Sequence, residues 1–100
     1  MNKFDELING GELVLVDFFA TWCGPCKMMH PILEELHEKV GDKARIVKVD
    51  IDKNPQLAQI YNVRSVPTLM IFKGKELKWR ASGVHSAADL ESKLNEFASE

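Results

Sequence analysis

Cysteine is scarce in this chain of 100 residues, charge of either sign is nearly balanced, and long apolar runs are missing. Two cysteines are too few for the disulfide framework of a small secreted scaffold. A net formal charge of −2 leaves no basic excess, which argues against nucleic acid and anionic membrane as partners. No apolar run approaches the roughly 18 residues of a membrane span. The opening stretch Met1-Asn2-Lys3-Phe4-Asp5-Glu6-Leu7 carries acids where an export signal needs an unbroken apolar core. No repeat, low-complexity tract or linker divides the chain. These absences predict one domain spanning residues 1–100, located in the cytoplasm. The apolar share of 45% and charged share of 28% fit an ordinary folded chain with one core.

What is present is patterned. Phe4 to Ile8 fits a short helix, ended by Asn9-Gly10-Gly11. Leu13 to Phe19 is apolar on both faces, as in a central strand covered on both sides. From Lys27 to Val40, Met29, Ile32, Leu33, Leu36 and Val40 recur at helical spacing, with a kink expected at Pro31. Ala44 to Ile51 reads as a second strand. Asn54-Pro55 reads as a helix start, with Leu57, Ile60 and Tyr61 on one face. Thr68 to Phe72 is a third strand, and Gly74-Lys75 suits a two-residue hairpin turn. Leu77, Trp79 and Ala81 then alternate with Lys78, Arg80 and Ser82, as in a strand with one solvated face. Ser86 suits the cap of a last helix, with Leu90, Leu94 and Phe97 facing inward. A βαβ unit followed by a ββα unit predicts a mixed four-stranded sheet with helices on both faces, an α/β fold.

The two cysteines are Cys23 and Cys26, in Trp22-Cys23-Gly24-Pro25-Cys26. They fall where the first strand hands over to a helix. A helix N-terminus favours negative charge, because its first N–H groups lack partners and its dipole points there. A thiolate there is stabilised, and the thiolate is the form that attacks a disulfide. Two intervening residues let the second sulfur reach the first. The competing reading is half of a zinc site, which needs four ligands. Only His30, His37 and His85 are available to complete it. Cys26 and His37 lie about 16 Å apart along the helix at about 1.5 Å per residue, so one ion cannot bind both. A lone pair beside a βαβ pattern therefore favours dithiol redox chemistry over metal.

Three further signals stand near this pair. Asp17 is the one charge in an apolar strand, and either faces water or is buried beneath the cysteines as a proton acceptor. Lys48 is its counterpart in Arg45-Ile46-Val47-Lys48-Val49, within reach if the strands run parallel. Val66-Pro67-Thr68 puts a proline at a strand entrance, and only about 5–6% of such bonds are cis in folded proteins, so the pattern alone does not predict a cis bond. The three histidines are expected on solvated surface, Met29 in the core, Met28 at an adaptable edge, and Trp79 in packing.

Together these segments resemble the thioredoxin family over nearly the whole length. Val16-Asp17-Phe18-Phe19-Ala20-Thr21-Trp22-Cys23-Gly24-Pro25-Cys26-Lys27 is similar to the family signature, Val47-Lys48-Val49-Asp50-Ile51-Asp52 to its second core strand, Val63-Arg64-Ser65-Val66-Pro67-Thr68-Leu69 to its cis-proline segment, and Ser82-Gly83 falls where a family glycine lies. The resemblance implies the thioredoxin fold and reduction of protein disulfides. It makes Cys23 the exposed nucleophile and Cys26 the buried resolving thiol. Asp17 would deprotonate Cys26, with Lys48 tuning Asp17. Pro67 would be cis, presenting Val66 to an extended substrate, while Trp22, Gly24, Pro25 and Gly83 shape the contact surface. Gly24-Pro25 is the reducing version of the motif. The resemblance further implies a reductase partner, a monomer, and no bound cofactor or metal. The alternatives are a binding module in which the dithiol is incidental, and an isomerase or glutathione-linked oxidoreductase. The short N-terminal stretch, Phe19 in place of a second tryptophan, Gly74-Lys75, Trp79 and Arg80 depart from the family pattern.

Overall fold

A computed structural model describes residues 3–100. The export-signal reading falls partly on residues 1 and 2, outside the described residues. The elements run α1 (Lys3–Ile8), β1 (Leu13–Phe19), α2 (Gly24–Val40), a 3-10 turn (Gly41–Lys43), β2 (Ala44–Asp50), α3 (Pro55–Ile60), β3 (Thr68–Lys73), β4 (Glu76–Ser82) and α4 (Ala87–Ala98). The sheet order is β2-β1-β3-β4. β1 pairs parallel with β2 and antiparallel with β3, and β3 pairs antiparallel with β4. This is the mixed α/β sheet that the order of elements predicted.

Strand parity sorts the core into two layers. Leu13 and Leu15 join Leu69 and Ile71 beneath Met29, Leu33, Leu36 and Val40 of α2 and Ala87, Leu90 and Leu94 of α4. Val14, Val16 and Phe18 join Met70 and Phe72 beneath Phe4 and Ile8 of α1 and Leu57 and Tyr61 near α3. In the second layer Phe4, Tyr61 and Phe72 meet edge-on at centroid distances of 5.4 to 5.8 Å. That geometry suits aromatic quadrupoles. The same parity assigns Asp17 to the α2 side of β1.

Several local expectations give way. α2 begins at Gly24, three residues before the apolar periodicity starts, because Cys23 caps it and Pro25 fits its first turn. β2 ends at Asp50, whose carboxylate accepts from the N–H groups of Asp52 (2.8 Å) and Lys53 (3.3 Å) and turns the chain. Asn54 stands at the cap position of α3 but makes no side-chain cap; its amide donates to the Asp50 carbonyl at 3.0 Å. Ile60 is 68% exposed, and Ala58 is the buried residue of α3 instead. A register shift in β3–β4 sets Trp79 opposite Ile71 but Leu77 opposite Phe72. The extra residue breaks the alternation, so Leu77 leaves the Trp79 side and is exposed. Gly74 and Lys75 both take positive φ, 56° and 76°, as a hairpin turn matched to strand twist requires. Ser86 caps α4 as expected, its hydroxyl accepting from the Asp89 N–H at 3.1 Å. Leu90 and Leu94 are buried, and Phe97 packs half-buried against that layer.

Candidate active site

The parallel β1–β2 pair ends in a loop that delivers Cys23 to the N-terminus of α2. The Cys23 N–H donates to the Ala20 carbonyl at 3.2 Å, closing the turn. Cys23 Sγ accepts from the Cys26 N–H at 3.2 Å, so the sulfur itself is the cap of the helix. This position meets both the unpartnered N–H groups and the positive end of the dipole. The two cysteines form a disulfide, with Cα atoms 5.3 Å apart. Cys26 is fully buried; Cys23 retains only 5% exposure, less than the open position expected of it. Ala20, Phe19, Ile51 and Val66 crowd the pair and account for that.

The Val66–Pro67 peptide is cis, as the family resemblance implied and the pattern alone did not predict. The Val66 carbonyl oxygen lies 3.5 Å from Cys23 Sγ. Thr68 Oγ1 donates to the Ser65 carbonyl at 2.6 Å, and the Gly83 N–H donates to the Pro67 carbonyl at 2.9 Å. Gly83 holds φ at 90°, a conformation that costs a side-chain-bearing residue but not glycine. Trp22, Gly24 and Pro25 are exposed on the rim, Val66 and Gly83 are half-buried, and Pro67 is buried. Val66 thus packs against the disulfide, with the cis-proline next to it in the chain and Gly83 hydrogen-bonded to that proline, while Trp22, Gly24 and Pro25 adjoin the two cysteines in the chain.

Asp17 is completely buried, and neither carboxylate oxygen finds a hydrogen-bonding partner among the described residues. Burial pushes its pKa from 3.8 up to about 6, while the Lys48 ammonium pulls it back down. Lys48 stands directly opposite Asp17 in the parallel register, as anticipated. It is not buried, however, so a fully buried ion pair is not what forms. A lysine stem lets the ammonium reach water from a strand edge.

Two residues beside the site were not foreseen. Trp22 Nε1 donates to Asp52 Oδ2 at 2.8 Å, which orients the exposed indole. His30 is half-buried, its ring edge-on to Phe19 at 5.6 Å and its Nδ1 3.1 Å from Lys48 Nζ. His85 is also half-buried, against Trp79 at 5.5 Å, and only His37 lies on the surface as expected. The signal for His30 was in the spacing: it lies one turn beyond Cys26, on the same side of the helix. Nothing in the sequence marked Asp52. Met28 is 58% exposed beside the site, and Met29 is in the core. No cluster of three or more metal-ligating side chains occurs among the described residues.

A disulfide capping a helix N-terminus beside a cis-proline segment, with a buried carboxylate on the strand that leads into it, defines a thiol–disulfide oxidoreductase. The thioredoxin family model matches residues 1–96. A thioredoxin-like protein of Synechocystis is 45% identical over 95% of this chain and 91% of its own length. The thioredoxin of Bacillus subtilis is 46% identical over 83% of this chain and 80% of its own. A mutant thioredoxin from Halobacterium salinarum superposes with a TM-score of 0.89 at 35% identity, covering 98% of this chain and 85% of that one. Mitochondrial thioredoxin 3 from Saccharomyces cerevisiae, in its oxidised form, gives 0.85 at 35% identity, covering 94% and 87%. The chain belongs to the thioredoxin family and is a protein-disulfide oxidoreductase.

Proposed function

We propose that the chain works as a reductant of protein disulfides, with Cys23 as nucleophile and Cys26 as resolving thiol. The carrying observation is the Cys23 sulfur serving as the cap of α2, in reach of Cys26. In the dithiol state, the Cys23 thiolate attacks one sulfur of a substrate disulfide. An S–S bond forms to Cys23, and the other substrate sulfur leaves as a thiolate that takes up a proton. Cys26 then loses its proton to Asp17, directly or through water, and attacks Cys23 Sγ. The mixed disulfide breaks, the second substrate thiol departs, and the Cys23–Cys26 bridge closes. Two electrons have passed to the substrate. Lys48 tunes Asp17, and the Val66 backbone offers an edge against which an extended substrate segment can lie. Trp22, Gly24, Pro25, Pro67 and Gly83 shape the surface it meets. A reductase partner then returns two electrons to the bridge.

Gly24-Pro25 supports the direction. Neither residue adds a charge or donor that would favour the thiolate, so the reduced form gains less than in an oxidant and gives up electrons more readily. On this reading residues 1–100 are a single domain that acts as a monomer in the cytoplasm. A redox titration of the purified protein, followed by Trp22 fluorescence and thiol count, tests it. The expected result is a two-electron midpoint more reducing than about −230 mV, the low edge of the glutaredoxin range. A midpoint near about −180 mV would mark an isomerase-like poise instead. Partner function retained by Cys23→Ser/Cys26→Ser would make the dithiol incidental.

A further inference from the structure

We propose that His30 is a positioning residue that competes with Asp17 for the Lys48 ammonium. Lysine carries only donors, so the contact of 3.1 Å between Lys48 Nζ and His30 Nδ1 requires an unprotonated Nδ1 and places the imidazole proton on Nε2. The Phe19 ring, edge-on at 5.6 Å, fixes the plane of the imidazole. Lys48 faces Asp17 across the β1–β2 register, on the same side of the sheet. Yet its hydrogen bond goes to His30, and both Asp17 oxygens remain without a partner among the described residues.

Lys48 also borders a cavity lined by Glu34, His37 and Glu38 of α2, yet among the described residues neither glutamate forms an ion pair with it, and its hydrogen bond is to His30. β3 sets Leu69 opposite Asp17, and α4 turns Ala87 and Leu90 toward this layer, none of them charged. α2 contributes Cys26 and His30, and on His30's own helix the i−3 and i+4 neighbours are Lys27 and Glu34. Lys48 is the charged residue β2 sets opposite Asp17. While neutral His30 holds the ammonium, Asp17 lacks a hydrogen-bonded cation and stays the stronger proton acceptor. A proton on His30 removes the acceptor and repels Lys48, which favours ionised Asp17. The histidine thereby sets how readily Asp17 takes the Cys26 proton, a consequence that rests on the exchange mechanism proposed above.

The test is the titration of the Asp17 carboxyl carbon by NMR in the oxidised full chain, where the sulfurs do not titrate. His30→Gln keeps an acceptor without a titrating charge, whereas His30→Leu keeps bulk without an acceptor. The Asp17 midpoint is expected lower in His30→Leu than in His30→Gln, by about threefold in proton affinity, as a freed neighbouring cation dictates. In a Lys48→Met background the two variants should coincide. Equal midpoints, a higher midpoint in His30→Leu, or a difference that survives Lys48→Met would overturn the proposal. Should His30→Leu not fold, His30→Ala takes its place in the same comparison. Undiminished exchange by Asp17→Asn would remove Asp17 from the chemistry and still leave the competition for Lys48 standing.

Discussion

The two ends of the sheet treat their polar side chains in opposite ways. Where β3 ends, Lys73 Nζ donates to the Phe97 carbonyl at 2.9 Å and the Glu100 carbonyl at 2.7 Å, closing the C-terminus of α4. A cation there meets carbonyls left over by the helix and the negative end of its dipole. Toward the other end of β1, the end that leads into the disulfide, Asp17 is buried with both oxygens unpartnered among the described residues. One end spends its polar group on stability; the other keeps a carboxyl in a state that costs stability and raises its pKa. Functional sites are where local consistency is expected to fail, and among the described residues the buried side-chain atoms without a partner are those of Asp17.

The largest effect belongs to the sulfurs. Cys23→Ser should drop disulfide reduction to the uncatalysed background. Cys26→Ser should instead stall at the mixed disulfide, recoverable as a covalent adduct with substrate by mass spectrometry. Turnover by Cys23→Ser at the wild-type rate would remove the site from the exchange.

Asp17→Asn follows in size and sharpens the contrast, because it should raise stability while lowering activity. Asp17 binds its proton more tightly folded than unfolded, with a pKa of about 6 against 3.8. Folding therefore loses stability as pH rises through that interval, and above it the cost reaches about 3 kcal/mol. Removing the charge should recover most of this at pH 7, raising Tm by ~10 °C for a domain of this size. The gain should fade toward pH 4, where wild-type Asp17 is protonated in the folded state and, increasingly, in the unfolded chain. Disulfide exchange should meanwhile slow by up to about a hundredfold, as on loss of a general base. Thermal unfolding at both pH values checks the sign; a gain independent of pH would mean that burial of the charge is not the cause.

Much of this was legible beforehand, for reasons tied to particular residues. β1 matched its apolar run residue for residue, because a strand buried on both faces admits no interruption except the functional one. The capping hydroxyl of Ser86 and the turn at Gly74-Lys75 are local chemistry, readable within four residues. Cys23, Asp17 and Pro67 stand at or near the ends of strands that the βαβ and ββα pattern anticipated, whereas the sheet order β2-β1-β3-β4 was not part of that pattern. What escaped was set by contacts distant in sequence. Ile60 turned outward because Ala58 is the residue of α3 that faces the core. Leu77 was displaced by a register shift that no alternation pattern announces. Lys48 kept its ammonium outside because β2 forms the edge of the sheet, and His30, eighteen residues earlier, is where that ammonium goes.

The far end supplies the converse test. Lys73→Met keeps the apolar stem and removes both hydrogen bonds to the end of α4. It should cost about 2 kcal/mol, the range of hydrogen bonds to a charged group, and leave the midpoint potential unchanged. Denaturant unfolding and the redox titration, run on the same variant, read the two quantities separately. A shifted potential would break the division of labour between the ends.

Ser86→Ala gives the smallest effect and marks where that division lies. Ser86 sits three residues beyond Gly83, which is hydrogen-bonded to Pro67, yet among the described residues its hydroxyl serves only the Asp89 N–H. If position alone decided function, its loss would disturb exchange. If the unsatisfied polar groups decide it, the variant should lose about 1 kcal/mol of stability, the usual value of an N-cap, with the exchange rate intact. The second outcome follows from the geometry, because Ser86 completes a helix whereas the buried Asp17 carboxylate is left without a partner among the described residues. Unfolding and exchange measured together on Ser86→Ala decide between them.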